Sequence, residues 1–336
     1  MKNTFSLSGM LRRPESGAFL GLACMFVFFS IFGGLSFLTI GSTGAWMNIA
    51  ANLGIIAIPV GLLMIAGELD ISVGSMVPAG SMTTAIISGH YHLPIWMAIA
   101  AVLLLGIIVG LINGNLVVRT AVPSFIVTLG TLFALAGFIL GLSVIITGTT
   151  SVALTAPPMA KAIFGDLYFG KQFQVIIAWW LGAAAVYIFF IHYSKYGNWI
   201  FAMGGDKVAA RNAGIPTNRV TISLFVLSAT SAAFVGMCQA ILFNSAQVSG
   251  GQSYIFNSII AVVVGGVLLT GGFGSVIGII FGTITFAIVT QGIYYTNFDR
   301  NWSSLIIGLL LLAAVLLNNT FRNMALSYAP PKKKVS

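Results

Sequence analysis

Long apolar stretches separated by short polar connections dominate this sequence of 336 residues. Runs of about 20 apolar residues match the length of a membrane-crossing helix. An outer-membrane barrel would instead show ten-residue strands of alternating polarity, and these runs are continuous. The pattern predicts ten helical spans, over about residues 18–40, 47–66, 71–89, 95–117, 123–147, 174–193, 220–243, 254–270, 275–293 and 303–320. A membrane domain over 18–320 is then flanked by an N-terminal segment, 1–17, and a C-terminal tail, 321–336. Only "GELD" separates the second and third spans, and only "GGFG" the eighth and ninth. Either pair can hold a broken or tilted helix.

Composition strengthens this reading. The chain is 58% hydrophobic and 6% charged, with mean hydropathy +1.03, whereas a soluble domain carries about 25% charged residues. The fold class is therefore all-α and polytopic in a membrane. Charge placement orients it. With both termini in the cytoplasm, Lys2, Arg12, Arg13, Arg119, Lys195, Lys207, Arg211, Arg219, Arg322, Lys332, Lys333 and Lys334 fall inside. Only Lys161, Lys171 and Arg300 of the 15 basic residues fall outside. Positive residues in short loops favour the cytoplasmic side, and Trp46, Trp96, Trp199 and Trp302 lie near span ends as interfacial anchors. The net charge of +9 is thus topological and calls for no nucleic acid; lipid is the expected surrounding.

Arg12-Arg13 before an apolar run resembles a signal peptide, but the run is too long and lacks a small-x-small cleavage site. An uncleaved first span is expected. Cys24 and Cys238 both fall within spans and form no disulfide or metal framework. His90 and His92 sit in a short external loop without nearby carboxylates, so solvated loop histidines are expected rather than a metal site. No GxxxxGK[ST] phosphate loop, nucleophile elbow or metalloprotease spacing occurs. The chain is expected to be no enzyme and to hold no cofactor, and any ATP hydrolysis must come from another chain.

Glu68 and Asp70 are the only acidic residues between Glu15 and Asp166. Carboxylates in a membrane are costly and usually functional, so a proton relay, and with it a proton-coupled carrier, is one reading. The other is a helix break in which Asp70 caps the third span. The second is preferred, because no other span offers a charged partner. The remaining interior polar residues are mostly neutral: Asn52, Thr83, Thr84, Asn113, Asn115, Thr128, Gln239, Asn244, Asn257 and Gln291. Each alone can simply join helices; as a set they suit a neutral, hydroxyl-rich solute. Gly61, Gly67 and Gly74 repeat the spacing of Gly265, Gly271 and Gly278 at an offset of 204, a coincidence of little weight among 39 glycines.

The polar segment Ser194–Arg219 is the most informative. Asp206 is a good N-cap for a short helix over Lys207–Ala213, Gly214 fits the C′ position, and Pro216 prevents continuation. A helix of seven residues, roughly 10 Å long, does not stand alone in water. On the cytoplasmic face of a membrane protein it reads as a docking element for a soluble partner.

Four motifs then occur in order: "GELDISVGS", "GLINGNLVVRTAVPSFIVTLGT", "AMGGDKVAARNAGI" and "GGVLLTGGFGSVIGIIFGT". Across about residues 45–320 the chain resembles the membrane permease of ribose-type ABC importers. The resemblance implies a type II importer fold of about ten helices in the bacterial inner membrane, working as a homo- or heterodimer. Two cytoplasmic ATPases and a periplasmic or lipid-anchored solute-binding protein complete such a system, which carries sugars or sugar-like solutes. It also implies that Gly204, Gly205, Asp206, Ala209, Ala210, Arg211, Ala213, Gly214 and Ile215 form the coupling loop that docks on the ATPase. Asn52, Phe125, Thr128 and Asn257 are the candidates for lining the translocation pathway. Where family members often read GGIDLSVG, this chain has "AGELDISVG", so Ala66 and Glu68 depart from the pattern.

Overall fold

The computed structural model describes residues 14–297, 299–302, 304–313 and 315–316. Helix α1 (Pro14–Phe32) is followed by a single short turn, α2 (Gly34–Phe37), made possible by Gly34 at φ +55°. The chain then enters α3 (Ile40–Ile65), where the Thr39 hydroxyl accepts from the Ser42 amide at 3.2 Å. Every residue of α3 from Ala50 to Ile65 is buried. A helix apolar all round is a core helix, and α3 is the central mast of the bundle.

Around it stand α4 (Val73–Thr84), α5 (Ile95–Arg119), α6 (Ser124–Thr147), α8 (Ile176–Tyr193), α11 (Thr217–Phe243), α12 (Ser253–Val264) and α13 (Val276–Gly292). Between α6 and α8 lies the small helix α7 (Pro158–Phe164), and between α8 and α11 lie α9 (Lys195–Gly205) and α10 (Lys207–Asn212). Helix α11 packs on α3, α4 and α5, and α13 packs on α3 and α1. Gly106, Gly110 and Gly114 form a stripe on α5 where any side-chain carbon would overlap the α11 backbone at Thr230, Val226 and Ile222. This is the close small-residue packing that substitutes for a hydrophobic driving force in lipid.

Seven helices among the described residues are long and apolar enough to cross a membrane, against ten expected spans. In two of the differences the expected span is only partly α-helical. The third expected span is α4 followed by a π-helical turn, Ala85–His90. The eighth, 254–270, is helical only over the 12 residues of α12, about 18 Å and short of a bilayer core of about 30 Å. Residues 265–275 then return as irregular chain to Ser275, whose hydroxyl caps α13 by accepting from the Gly278 amide at 2.9 Å. The tenth appears as α14 (Ser304–Ala313), and the rest of 303–320 lies largely outside the described residues.

The 148–173 connection is structured. Strand β1 (Ser151–Ala153) pairs antiparallel with β4 (Ser245–Gln247), and β2 (Leu167–Tyr168) with β3 (Phe173–Gln174). Helix α8 runs from β3 into α9 and α10, and α11 runs back from α10 to β4. Both small sheets therefore lie at the end of the bundle opposite α10.

The hydrogen-bond patterns match the glycines in a register other than the coincidental spacing of 204. Helix α3 ends with Gly67 N–H bonded to Met64 O and Glu68 N–H to Leu63 O; α12 ends with Gly266 N–H on Val263 O and Val267 N–H on Val262 O. Both are Schellman ends, with Gly67 at φ +85° and Gly266 at φ +89°. Gly67 thus corresponds to Gly266, not to Gly271.

Candidate functional site

Two polar regions stand out, one at each end of the bundle. At the first, Asp206 caps α10: its Oδ1 accepts from the Val208 and Ala209 amides at 2.8 and 3.0 Å. The helix ends at Asn212, one residue earlier than expected, with Ala213 as cap. Gly214, at φ +83°, closes a Schellman turn through Gly214 N–H to Arg211 O and Ile215 N–H to Ala210 O. Arg211 donates to Thr217 and Asn218, tying the short helix to the start of α11.

Helix α10 has an inner and an outer side. Ala210 is buried and Gly204 and Ile215 are half-buried, whereas Gly205, Asp206, Ala209, Arg211, Ala213 and Gly214 are exposed. Val208, on α10, is 70% exposed. Sequence reasoning passed over it, although it is the one large aliphatic residue in Lys207–Asn212.

The inner side rests on two helix interruptions, the turn between α3 and α4 and the irregular segment between α12 and α13. A side-chain carbon at Gly204 would overlap the Ile65 carbonyl oxygen and the Gly272 amide nitrogen, and those two atoms are bonded to each other at 2.8 Å. Gly271, at φ +84°, lies so that an added carbon would stand 3.1 Å from Gly204 O and 3.2 Å from Gly67 Cα. Lys207 completes the junction with an ion pair to Glu68. The end of α3, the turn before α13 and the end of α9 therefore meet at one point.

Glu68 and Asp70 have separate partners. Asp70 is buried, and its Oδ1 accepts from the Ser72 amide at 2.9 Å and the Ser72 hydroxyl at 2.6 Å. Asn113 donates to the Ser72 hydroxyl, and Thr131 to Asn113. The reading of Asp70 as a structural cap is refined: it closes a turn around Ser72, and α4 starts at Val73. Thr128 belongs here, accepting from the Ile71 amide and donating to the Ser124 carbonyl.

At the opposite end, a cavity of about 360 Å³ is lined by residues that include Asn48, Asn52, Gln174, Gln239, Ser253, Tyr254 and Asn257. Asn48 donates to Gln172 O at 2.8 Å and accepts from the Gln174 amide at 2.8 Å. Asn52 donates to Gln174 Oε1 at 2.9 Å; Gln239 donates to Asn52 Oδ1 at 3.3 Å and to the Tyr254 hydroxyl at 2.5 Å. A second cavity, of about 390 Å³, shares Gln239, Phe243 and Gly250. No Asp, Glu, Lys or Arg lines either one.

Of the four pathway candidates, Asn52 and Asn257 come together in the first cavity. Thr128 sits in the Asp70 cluster instead, and Phe125 is 48% exposed on α6; neither lines this cavity. Asn48 and Gln174 escaped notice because their partnership joins residues 126 apart in sequence. Asn52→Leu removes the bridge between Gln174 and Gln239. It is expected to cost on the order of 1–3 kcal/mol for polar groups left without partners, read as a lowered thermal midpoint of the purified protein.

A family model described as "Branched-chain amino acid transport system / permease component" matches residues 42–315. The inner membrane ABC transporter permease protein YjfF of Escherichia coli K12 is 30% identical over 275 residues, 80% of each chain. The fructose import permease protein FrcC of Rhizobium meliloti is 26% identical over 319 residues, 93% of this chain and 87% of the relative. The autoinducer 2 import system permease protein LsrD of Escherichia coli K12 is 31% identical over 265 residues, 79% of each. No solved structure matches. The proton-coupled carrier suggested by Glu68 and Asp70 finds no support among these relatives.

Proposed function

Because the chain belongs to the permease-component family of ABC transporters that carries the branched-chain amino acid name, we propose that it is the membrane subunit of an importer of a neutral, sugar-like solute. The observation that carries the cargo class is the lining of the cavity at the sheet end. Amides and hydroxyls of Asn48, Asn52, Gln174, Gln239, Ser253, Tyr254 and Asn257 supply donors and acceptors without a charged side chain. An amino-acid zwitterion brings a carboxylate and an ammonium, and desolvating either without a partner is expensive. A polyhydroxylated solute exchanges hydrogen bonds with such a wall and needs no counter-charge. The names of the fructose and autoinducer 2 import permeases agree with this class.

The orientation follows from the basic residues: the α10 end faces the cytoplasm and the sheet end faces outward. ATP hydrolysis falls to a separate subunit. In this reading two permease subunits pair, each presenting α10 to an ATPase, while a solute-binding protein delivers cargo at the sheet end. Residues Gly204–Ile215 form the coupling element, with Val208, Ala209, Ala213 and Gly214 facing the ATPase and Ala210 facing the membrane domain. Closure of the ATPase pair then pulls on the point where the two helix interruptions meet.

The test is uptake by the complete transporter in liposomes. ATP-dependent accumulation of a labelled monosaccharide or polyol, with none of leucine, is expected; ATP-dependent leucine uptake with no carbohydrate uptake would overturn the cargo class. Val208→Glu places a charge on the docking face. It is expected to weaken ATPase binding about tenfold, or 1.4 kcal/mol, in a pull-down titration. Unchanged binding would remove Val208 from the interface.

A further inference from the structure

We propose that the tip of the β2–β3 hairpin, Phe169-Gly170-Lys171, is the surface on which the solute-binding protein seats, with Phe169 as its apolar anchor. The inference rests on the importer reading above and adds the contact surface to it.

Three observations converge. The tip holds three successive residues in the left-handed region, with φ of +50° at Phe169, +72° at Gly170 and +64° at Lys171. A bulky non-glycine residue at positive φ is uncommon, and strained backbone of this kind concentrates at ligand clamps and functional sites. The strain here turns a large ring outward: Phe169 is 83% exposed, with an edge contact to Phe173 at 6.1 Å between centroids. Aromatic residues, Phe among them, are enriched at protein–protein interfaces.

The stem of the hairpin is firmly seated, so the exposure belongs to a fixed element. The Asn48 side chain bonds both the Gln172 carbonyl and the Gln174 amide. Val175 N–H bonds Asp166 O at 3.0 Å across the base, and Gln172 N–H bonds Tyr168 O at 3.2 Å below the tip. Gly44 on α3 allows the Gln172 backbone to approach so closely that a side-chain carbon would stand 2.6 Å from its carbonyl oxygen.

This seat favours a protein over the lipid surface. The hairpin stands on α3, the central helix of the bundle, and Gln174 at its base is part of the wall of the polar cavity. A partner on the tip is thus placed beside the cavity mouth, where cargo must be handed over, and the same hairpin links that partner to Asn52 and Gln239.

The experiment uses the full transporter in lipid nanodiscs and measures binding of its solute-binding protein. Phe169→Gly removes the ring and relieves the left-handed strain, since glycine adopts positive φ freely. Affinity for the binding protein is expected to fall at least tenfold, with the thermal midpoint unchanged or raised and ATPase binding unaltered. Phe169→Trp, which keeps an apolar anchor, is expected to retain binding. If Phe169→Gly binds like wild type, the tip is no docking surface. In the Phe169→Trp variant, quenching of the introduced indole's fluorescence by brominated lipid, with unchanged binding-protein affinity, would assign the tip to the membrane and overturn the proposal. A wild-type transporter that binds no solute-binding protein would overturn the importer reading and this inference together.

Discussion

Gly204→Ala is expected to abolish ATP-driven uptake, whereas Gly205→Ala, one residue further on, leaves it intact. The two glycines are neighbours at the end of α9, and composition gives no reason to separate them. Their surroundings do. A carbon added at Gly205 meets nothing within 4 Å, while one added at Gly204 overlaps the Ile65 carbonyl oxygen and the Gly272 amide. Those are backbone atoms, so no side chain can swing away to make room. Relief requires α9 to lift off the junction or the Gly272–Ile65 hydrogen bond to open. Overpacking of this kind costs about 1–3 kcal/mol, and the lost hydrogen bond adds about 1 kcal/mol. On the proposed mechanism the consequence exceeds the stability loss, because the contact joins the end of α9, which leads directly into the docking helix, to both helix interruptions. Uptake in proteoliposomes should vanish for Gly204→Ala while the ATPase still binds, since the outward face of α10 is untouched. Equal transport by the two variants would show that Gly204 does not lie on the route of coupling.

The contrast between these glycines marks what can be read from sequence and what cannot. Helix α10 is legible because its determinants are local: Asp206, Gly214 and Pro216 lie within eleven residues, and each acts through its own backbone. The outline of the membrane bundle is legible for the same reason, since hydrophobic length is a local property. The interruption within 254–270 is less so. Gly265 and Gly266 permit a helix to end, but "VVVGGVLL" also reads as continuous apolar chain, and glycine is common enough in membrane helices to leave the register open. The Gly67–Gly266 correspondence emerges from matching hydrogen-bond patterns, which sequence spacing does not reveal. Polarity alone makes Asn52 and Asn257 candidates, and both line the cavity. Thr128 has the same polarity, yet it satisfies a backbone break between Leu69 and Ile71, and only long-range geometry separates the two roles.

Glu68 and Lys207 form the long-range side-chain contact with the largest expected effect on coupling. They stand 139 positions apart, and nothing in the sequence around Glu68 points to Lys207 as its partner. The Glu68 side chain is 10% exposed and that of Lys207 34%, so the pair is partly shielded from water. A hydrogen bond between charged groups contributes about 1.5–3 kcal/mol, more than the roughly 1 kcal/mol or less of a fully exposed pair. Its position matters more than its strength: Lys207 is the first residue of α10, and Glu68 follows Gly67 directly in the turn that ends α3. The pair therefore ties the docking helix to one interruption while Gly204 touches both. Glu68→Lys sets two positive charges against each other and is expected to lower the uptake obtained per ATP hydrolysed at least tenfold. Lys207→Glu should do the same with two negative charges. The double exchange, Glu68→Lys with Lys207→Glu, restores the attraction in reverse and should recover most of the coupling. Measured stoichiometry of transport to hydrolysis is the right readout, because a general loss of folding would lower both rates together. If the double variant is no better coupled than either single one, the pair is an incidental contact and coupling runs through the glycine junction alone.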